Sequence, residues 1–284
     1  MREEALLLGA RGSLVSVYTP ASELAPGPRC AALLVNAGLV HHVGPNRLHV
    51  RIARTLAAVG VSCLRFDLSG IGDSPARADG LSVLQVFESE PREIMDALSK
   101  RGYERFVLIG ICSGADCAQR VAGIDPRVAG VILINPHDLE EDPAWQAHAH
   151  SRFYLTRSIT NPRAWLNLFT GRTKYRRLLS SLMTRSMSWI PGRARHITER
   201  AAAKRAQLSH VLGRAHVLFI ISEQDVSTAY LHLMTGGDTS TMQRDGRLTV
   251  QRVDGSDHLF TRLRDQNELV RIIAGWCPRV LGYE

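Results

Sequence analysis

Apolar runs recur along this chain with helical patterns between them, and that rhythm leaves few folds open. The runs cover residues 31–35, 61–66, 106–109, 128–134 and 217–221. Between the first two, Leu48, Ile52, Leu56 and Val59 stand at helical spacing across 47–59, and Gly60 follows as a stop. Residues 81–98 and 115–122 read as further helices, and a strand at 248–253 precedes a helix over 263–276. Two short runs at 5–8 and 14–18, split by Gly9 and Gly12, read as an N-terminal hairpin. Strand alternating with helix implies βαβ units. The expected fold is α/β: a mostly parallel, eight-stranded sheet with helices on both faces.

The rhythm breaks between 138 and 207, where no clear strand appears. Apolar residues cluster there instead, as at Trp165, Leu166, Leu168 and Phe169. We read 138–207 as a helical lid inserted between two parts of one core, 1–137 and 208–284. The lid should sit over the sheet's C-terminal edge, where ligands bind in open α/β sheets. Charge singles out the same stretch. Residues 152–205 hold thirteen Lys/Arg against one acid, Glu199, whereas the whole chain is only +8, so the remainder is net acidic. A basic lid suits an acidic partner; its plainer meaning is a solvated helical face. Aromatics in the segment stand at helical spacing without a nucleic-acid motif, so no nucleic-acid partner is expected.

With 45% hydrophobic residues, a disordered chain is excluded. No stretch reaches the length of a transmembrane segment, and the run at 5–8 is too short for a signal peptide. Five cysteines form no paired framework, which fits a reducing, cytoplasmic setting.

The chemistry-bearing motif is Gly110-Ile111-Cys112-Ser113-Gly114, between a strand and a helix. A sharp strand-to-helix turn strains its central residue and demands small neighbours two positions away. Gly110 and Gly114 flank Cys112 in that way, whereas Ser113 would be flanked by Ile111 and Ala115, and the β-branched Ile111 would clash. Cys112 is therefore the expected nucleophile. Its place at a helix N-terminus favours the thiolate.

With these residues the chain resembles the α/β-hydrolase superfamily, in the branch where cysteine replaces serine, as in dienelactone hydrolases and some thioesterases and acyltransferases. The stretch from Leu64 to Ser74 and the Asn36-Ala37-Gly38 turn are similar too. That resemblance implies the order nucleophile, acid, histidine. His258, after the last strand, is the expected base, and Asp225, after the strand at 217–221, the expected acid, with Glu223 the second choice. Asp225 also reads as a helix cap. The oxyanion donors should be the Ser113 amide and that of Gly38 or Leu39. The family's usual His-Gly-x is here Asn36-Ala37-Gly38. His41 and His42 invite a metal reading, but adjacent histidines lack helical ligand spacing, so neither metal nor cofactor is expected.

The expected function is acyl transfer or hydrolysis on a thioester or ester, through an S-acyl-cysteine. The basic lid would receive an acidic acyl-carrier protein or coenzyme A. The alternatives are a small-molecule esterase or lactonase, an exopolysaccharide-associated hydrolase, and a non-catalytic binding module.

Overall fold

The computed structural model describes residues 2–22, 29–137, 191–223, 225–236, 239–243 and 246–282. The N-terminal hairpin is β1 (Glu4–Leu8) and β2 (Leu14–Thr19). Then come β3 (Cys30–Val35), β4 (Ser62–Phe66), β5 (Arg105–Ile111), β6 (Val128–Ile134), β7 (His216–Ser222) and β8 (Leu248–Val253). All eight join in one sheet, in the order β1-β2-β4-β3-β5-β6-β7-β8. The hairpin pairs antiparallel with β4, and every pairing from β4 to β8 is parallel.

The described helices are α1 (Leu48–Ala58), α2 (Val83–Ser99), α3 (Ser113–Ile124), α4 (Pro191–Leu212), α5 (Ser227–Thr235), α6 (Thr239–Gln243) and α7 (Leu263–Leu281). They cover both faces of the sheet. Ala31, Leu33 and Val35 of β3 share a core with α2 and α3, while Ala32 and Leu34 share another with α1 and α7. A strand buried on both sides has no polar face to show, which is why these segments read as unbroken apolar runs.

Local chemistry sets the helix bounds. α2 starts two residues later than the pattern predicts because Ser82 caps it. Ser82 Oγ accepts the Gln85 N–H at 3.3 Å, and Gln85 Oε1 accepts the Ser82 N–H at 2.9 Å. Pro91 lies inside α2 and leaves the Phe87 carbonyl without its helical donor. The thiol of Cys117 donates to that carbonyl at 3.2 Å, which gives this buried cysteine a structural role. The sequence pattern assigns no element to the stretch holding α5 and α6. Ala229, Tyr230, Leu231 and Met234 of α5 are all buried, and only Thr228 and His232 supply partly exposed polar positions, too few in nine residues for a period to stand out.

The predicted lid lies outside the described residues as far as 190. From 191 the chain is α4, which runs through 207 without a break. Ile197, Lys204, Leu208 and Val211 form its buried stripe, and the last two join the core beside α3. No helix among the described residues is long and apolar enough to cross a membrane.

Candidate active site

Cys112 stands between the end of β5 and the start of α3 with φ 56° and ψ −122°. A non-glycine residue there stores strain of about 1–3 kcal/mol. The surroundings enforce it. The Cys112 N–H donates to the Ile134 carbonyl at 3.0 Å, and the Cys112 carbonyl accepts the Ala115 N–H at 3.1 Å. Both flanking glycines are required. A Cβ on Gly110 would lie 2.0 Å from the Gly114 carbonyl oxygen, and one on Gly114 would lie 2.4 Å from that of Asn36. Gly114 thus also lets the loop after β3 close onto the start of α3. Cys112 is half-buried, whereas the other four cysteines are buried. Burial pushes the thiols of Cys63, Cys117 and Cys277 well up, which keeps them protonated and inert.

β7 and β8 are parallel neighbours, so the loops that follow them emerge at the edge where Cys112 lies. His258 Nδ1 meets Asp225 Oδ2 at 2.6 Å. The Asp225 bond, then the nearby Cys112 thiol, push the His258 pKa up to about 10 against the opposing effect of burial. Burial raises the Asp225 pKa, but the His258 and Ser227 bonds outweigh it and hold the carboxyl below its ordinary value. Asp225 Oδ1 accepts the N–H of Ser227, the first residue of α5, at 2.8 Å. Asp225 therefore anchors a helix start and orients the imidazole at once. Glu223 points elsewhere and accepts the Gly255 N–H at 2.7 Å.

Sequence reasoning missed Asn135. This buried residue, at φ 43°, ends β6 and ties the acid and histidine loops together. Its Nδ2 donates to Ser222 Oγ at 2.7 Å and to the His258 carbonyl at 2.9 Å. Its Oδ1 accepts from the Ser222 N–H at 2.8 Å and the Ser227 hydroxyl at 3.2 Å. The one cue in the sequence is an amide side chain directly after an apolar strand.

On the other side of Cys112, the Gly38 amide donates to Ser113 Oγ at 2.9 Å. The Leu39 side chain is 88% exposed. Asn36, which replaces the family's histidine, braces the loops after β3 and β4. Its Nδ2 reaches the Val40 carbonyl and Asp67 Oδ1, and its Oδ1 accepts the Leu68 N–H. Beside Ser113 and Gly38 opens a cavity of about 580 Å³, with Leu68, Ile71, Phe87 and His137 among its walls. His137, which no sequence motif singles out, thus lies at the cavity.

His41, His42, Asp67 and Asp73 bring one candidate ligand atom each within 4.8 Å of one another. Their hydrogen bonds account for those atoms. Asp67 accepts from Asn36 Nδ2, the His42 N–H, His42 Nδ1 and the Asp73 N–H, at 2.8, 2.6, 2.7 and 3.1 Å. That uses the roughly four acceptor positions of a carboxylate. His41 Nδ1 accepts the Val43 N–H at 3.2 Å, so its Nε2 carries the hydrogen donated to Asp73 at 2.8 Å. A cation would have to displace these donors. The arrangement is a bracket holding the two loops.

Residues 32–271 match the alpha/beta hydrolase family, and the chain belongs to it. No curated protein matches the chain. Among solved structures it is similar to an alpha-beta serine hydrolase homologue from Coxiella burnetii, at 15% identity over 97% of each chain with a TM-score of 0.57. It is also similar to the esterase domain of a Rhodothermus marinus protein, at 17% identity over 98% of each chain with a TM-score of 0.55. A third is the dienelactone hydrolase from Anabaena variabilis, at 13% identity over 98% of this chain and 97% of that one, with a TM-score of 0.55. Likeness at such identity establishes the fold.

Proposed function

We propose that this protein is an acyl-transfer enzyme, a thioesterase or acyltransferase, that cleaves a thioester or ester through an S-acyl intermediate on Cys112. One observation carries the reading. A half-buried sulfur stands on a strained elbow, near enough to an imidazole to raise its pKa, and one nitrogen of that imidazole is held by a buried carboxylate. The strained elbow presents the sulfur, and the raised pKa of His258 keeps a proton on the imidazole at neutral pH.

The sulfur attacks the acyl carbon. A C–S bond forms and the carbonyl electron pair moves onto oxygen. As that pair returns, the bond to the leaving thiol or alcohol breaks, and His258 hands it a proton. Water or an acceptor then gives a proton to His258, attacks the acyl-cysteine and releases the sulfur. Asp225 keeps the imidazole aligned and stabilises its charged form throughout. Exchange of one thioester for another is nearly balanced, which suits a sulfur nucleophile. The cavity beside Ser113, with Leu68, Ile71 and Phe87 in its walls, suits an acyl chain. The likeness to an esterase domain and a dienelactone hydrolase favours, as second reading, hydrolysis of a simple ester or lactone through the same groups.

The basic stretch 152–205 suits docking of an acidic carrier protein or the phosphates of coenzyme A. Salt should then raise KM for a carrier-bound substrate and leave that for a small ester unchanged. Equal salt effects on both would end the docking idea. Five free cysteines suit a reducing cytoplasm.

The deciding experiment is intact mass after mixing with a panel of acyl thioesters and activated esters. We expect an acyl adduct that is absent in Cys112→Ala and present in Ser113→Ala. An adduct that persists in Cys112→Ala, or no adduct and no turnover with any substrate, overturns the proposal.

A further inference from the structure

We propose that the side-chain hydroxyl of Ser113 is itself an oxyanion donor, standing where the Gly38 amide is expected to act. The inference rests on the acyl-transfer reading and adds a catalytic group to it.

The Ser113 N–H lies in the first turn of α3 and has no acceptor within the helix. The Leu39 amide makes no backbone hydrogen bond among the described residues. The Gly38 amide, by contrast, is already spent, because it donates to Ser113 Oγ at 2.9 Å. Gly38 is held at φ 60°, a left-handed conformation that fixes the direction of its amide. Ser113, whose hydroxyl receives this bond, is only 9% exposed, and that hydroxyl's own hydrogen has no acceptor among the described residues. Buried donors are rarely left unused. Ser113 and Gly38 both line the cavity, and Ser113 is one residue along the chain from Cys112.

These facts form a relay. The Gly38 N–H polarises the Ser113 O–H, and a hydroxyl that accepts a bond becomes a stronger donor. When the Cys112 sulfur attacks, the carbonyl electron pair collects on oxygen, and the Ser113 N–H and O–H stabilise it together. The hydroxyl keeps its proton, so no extra transfer is needed. Cys112, and not Ser113, is among the groups that raise the His258 pKa, which separates this role from that of a nucleophile.

The opposite meaning of the same contact is a plug: Ser113 would occupy the Gly38 amide and hold it away from substrate. Acylation rates distinguish the two, measured with p-nitrophenyl butyrate and with its thionoester, whose sulfur is a poor hydrogen-bond acceptor. A relay requires Ser113→Ala and Ser113→Gly to acylate Cys112 about 10- to 100-fold more slowly on the oxo ester. It also requires the preference for oxo over thiono ester to shrink by a similar factor, with Ser113→Thr, which keeps the hydroxyl, holding the wild-type ratio. An unchanged or faster rate in Ser113→Ala overturns the inference in favour of the plug. A slower rate with an unchanged oxo-to-thiono ratio also overturns it, because a merely structural defect would look that way. In both cases the adduct on Cys112 remains and the acyl-transfer reading stands. No acylation of the wild-type protein by any ester sinks that reading and the inference with it.

Discussion

Two His–Asp pairs lie at the C-terminal edge of this sheet with nearly the same contact and opposite surroundings. His258 Nδ1 meets Asp225 at 2.6 Å, and His42 Nδ1 meets Asp67 at 2.7 Å. In the first pair the imidazole is 35% exposed and lies near the sulfur of Cys112. In the second the imidazole is 7% exposed, and the carboxylate, fully buried, collects three further donors from the loops after β3 and β4. Geometry within the pair does not separate chemistry from architecture. What surrounds each pair does: one sits near the Cys112 sulfur with its imidazole a third exposed, the other is enclosed by the two loops it holds.

Breaking each pair should therefore give opposite defects. His258→Ala is expected to lower kcat/KM on an activated ester by about 10³-fold or more, with a melting temperature close to wild type. Asp67→Ala should do the reverse. It strands the donors of Asn36, His42 and Asp73 and should cost about 3–5 kcal/mol in denaturant titration. The fraction that stays folded should retain acylation of Cys112 within about tenfold. A stable but inactive Asp67→Ala protein would show that the second pair takes part in chemistry, and would collapse the contrast.

The sequence revealed one of these pairs and hid the other. The elbow centred on Cys112 was legible because the turn excludes side chains at 110 and 114, and only glycine satisfies that. His258 and Asp225 were legible because each follows the end of an apolar strand. Asp67 lies at the end of a strand as well, yet its partner His42 comes from a loop whose path no periodicity records. The role of Asn135 was equally hidden, since a bridge between Ser222 and the His258 carbonyl depends on strands that meet only in the sheet. A different limit applies to α5, a short helix buried over most of its surface, whose partly exposed positions are too few to show a period.

Asn135 offers an intermediate case, a polar group that touches no substrate but holds the reactive pair in place. Asn135→Ala should lower kcat about tenfold with little change in KM, and destabilise the protein by about 2 kcal/mol. Asn135→Asp keeps the acceptor oxygen for Ser222 and loses the donor to the His258 carbonyl, so it separates the two halves of the bridge. If both variants keep full kcat, the bridge serves folding alone.

The smallest expected effect concerns protons. The Asp225 bond and the nearby Cys112 thiol raise His258 to about 10 in the folded protein, above an unfolded value near 6.5. A group raised on folding stabilises the native state fully below its unfolded pKa, and that contribution disappears as pH rises through the folded value. The window is thus about pH 6.5 to 10. Within it the wild-type melting temperature should decline relative to that of His258→Ala, by on the order of a few degrees, because water screens so exposed a ring. Asp225→Asn should flatten the decline, since the bond it removes is the largest cause of the shift. The same proton should mark the rate, with transfer to the leaving group failing above about pH 10. A stability difference that is flat across the window would mean that His258 is neutral beside Cys112, and the sulfur would then need the imidazole as a base from the first step.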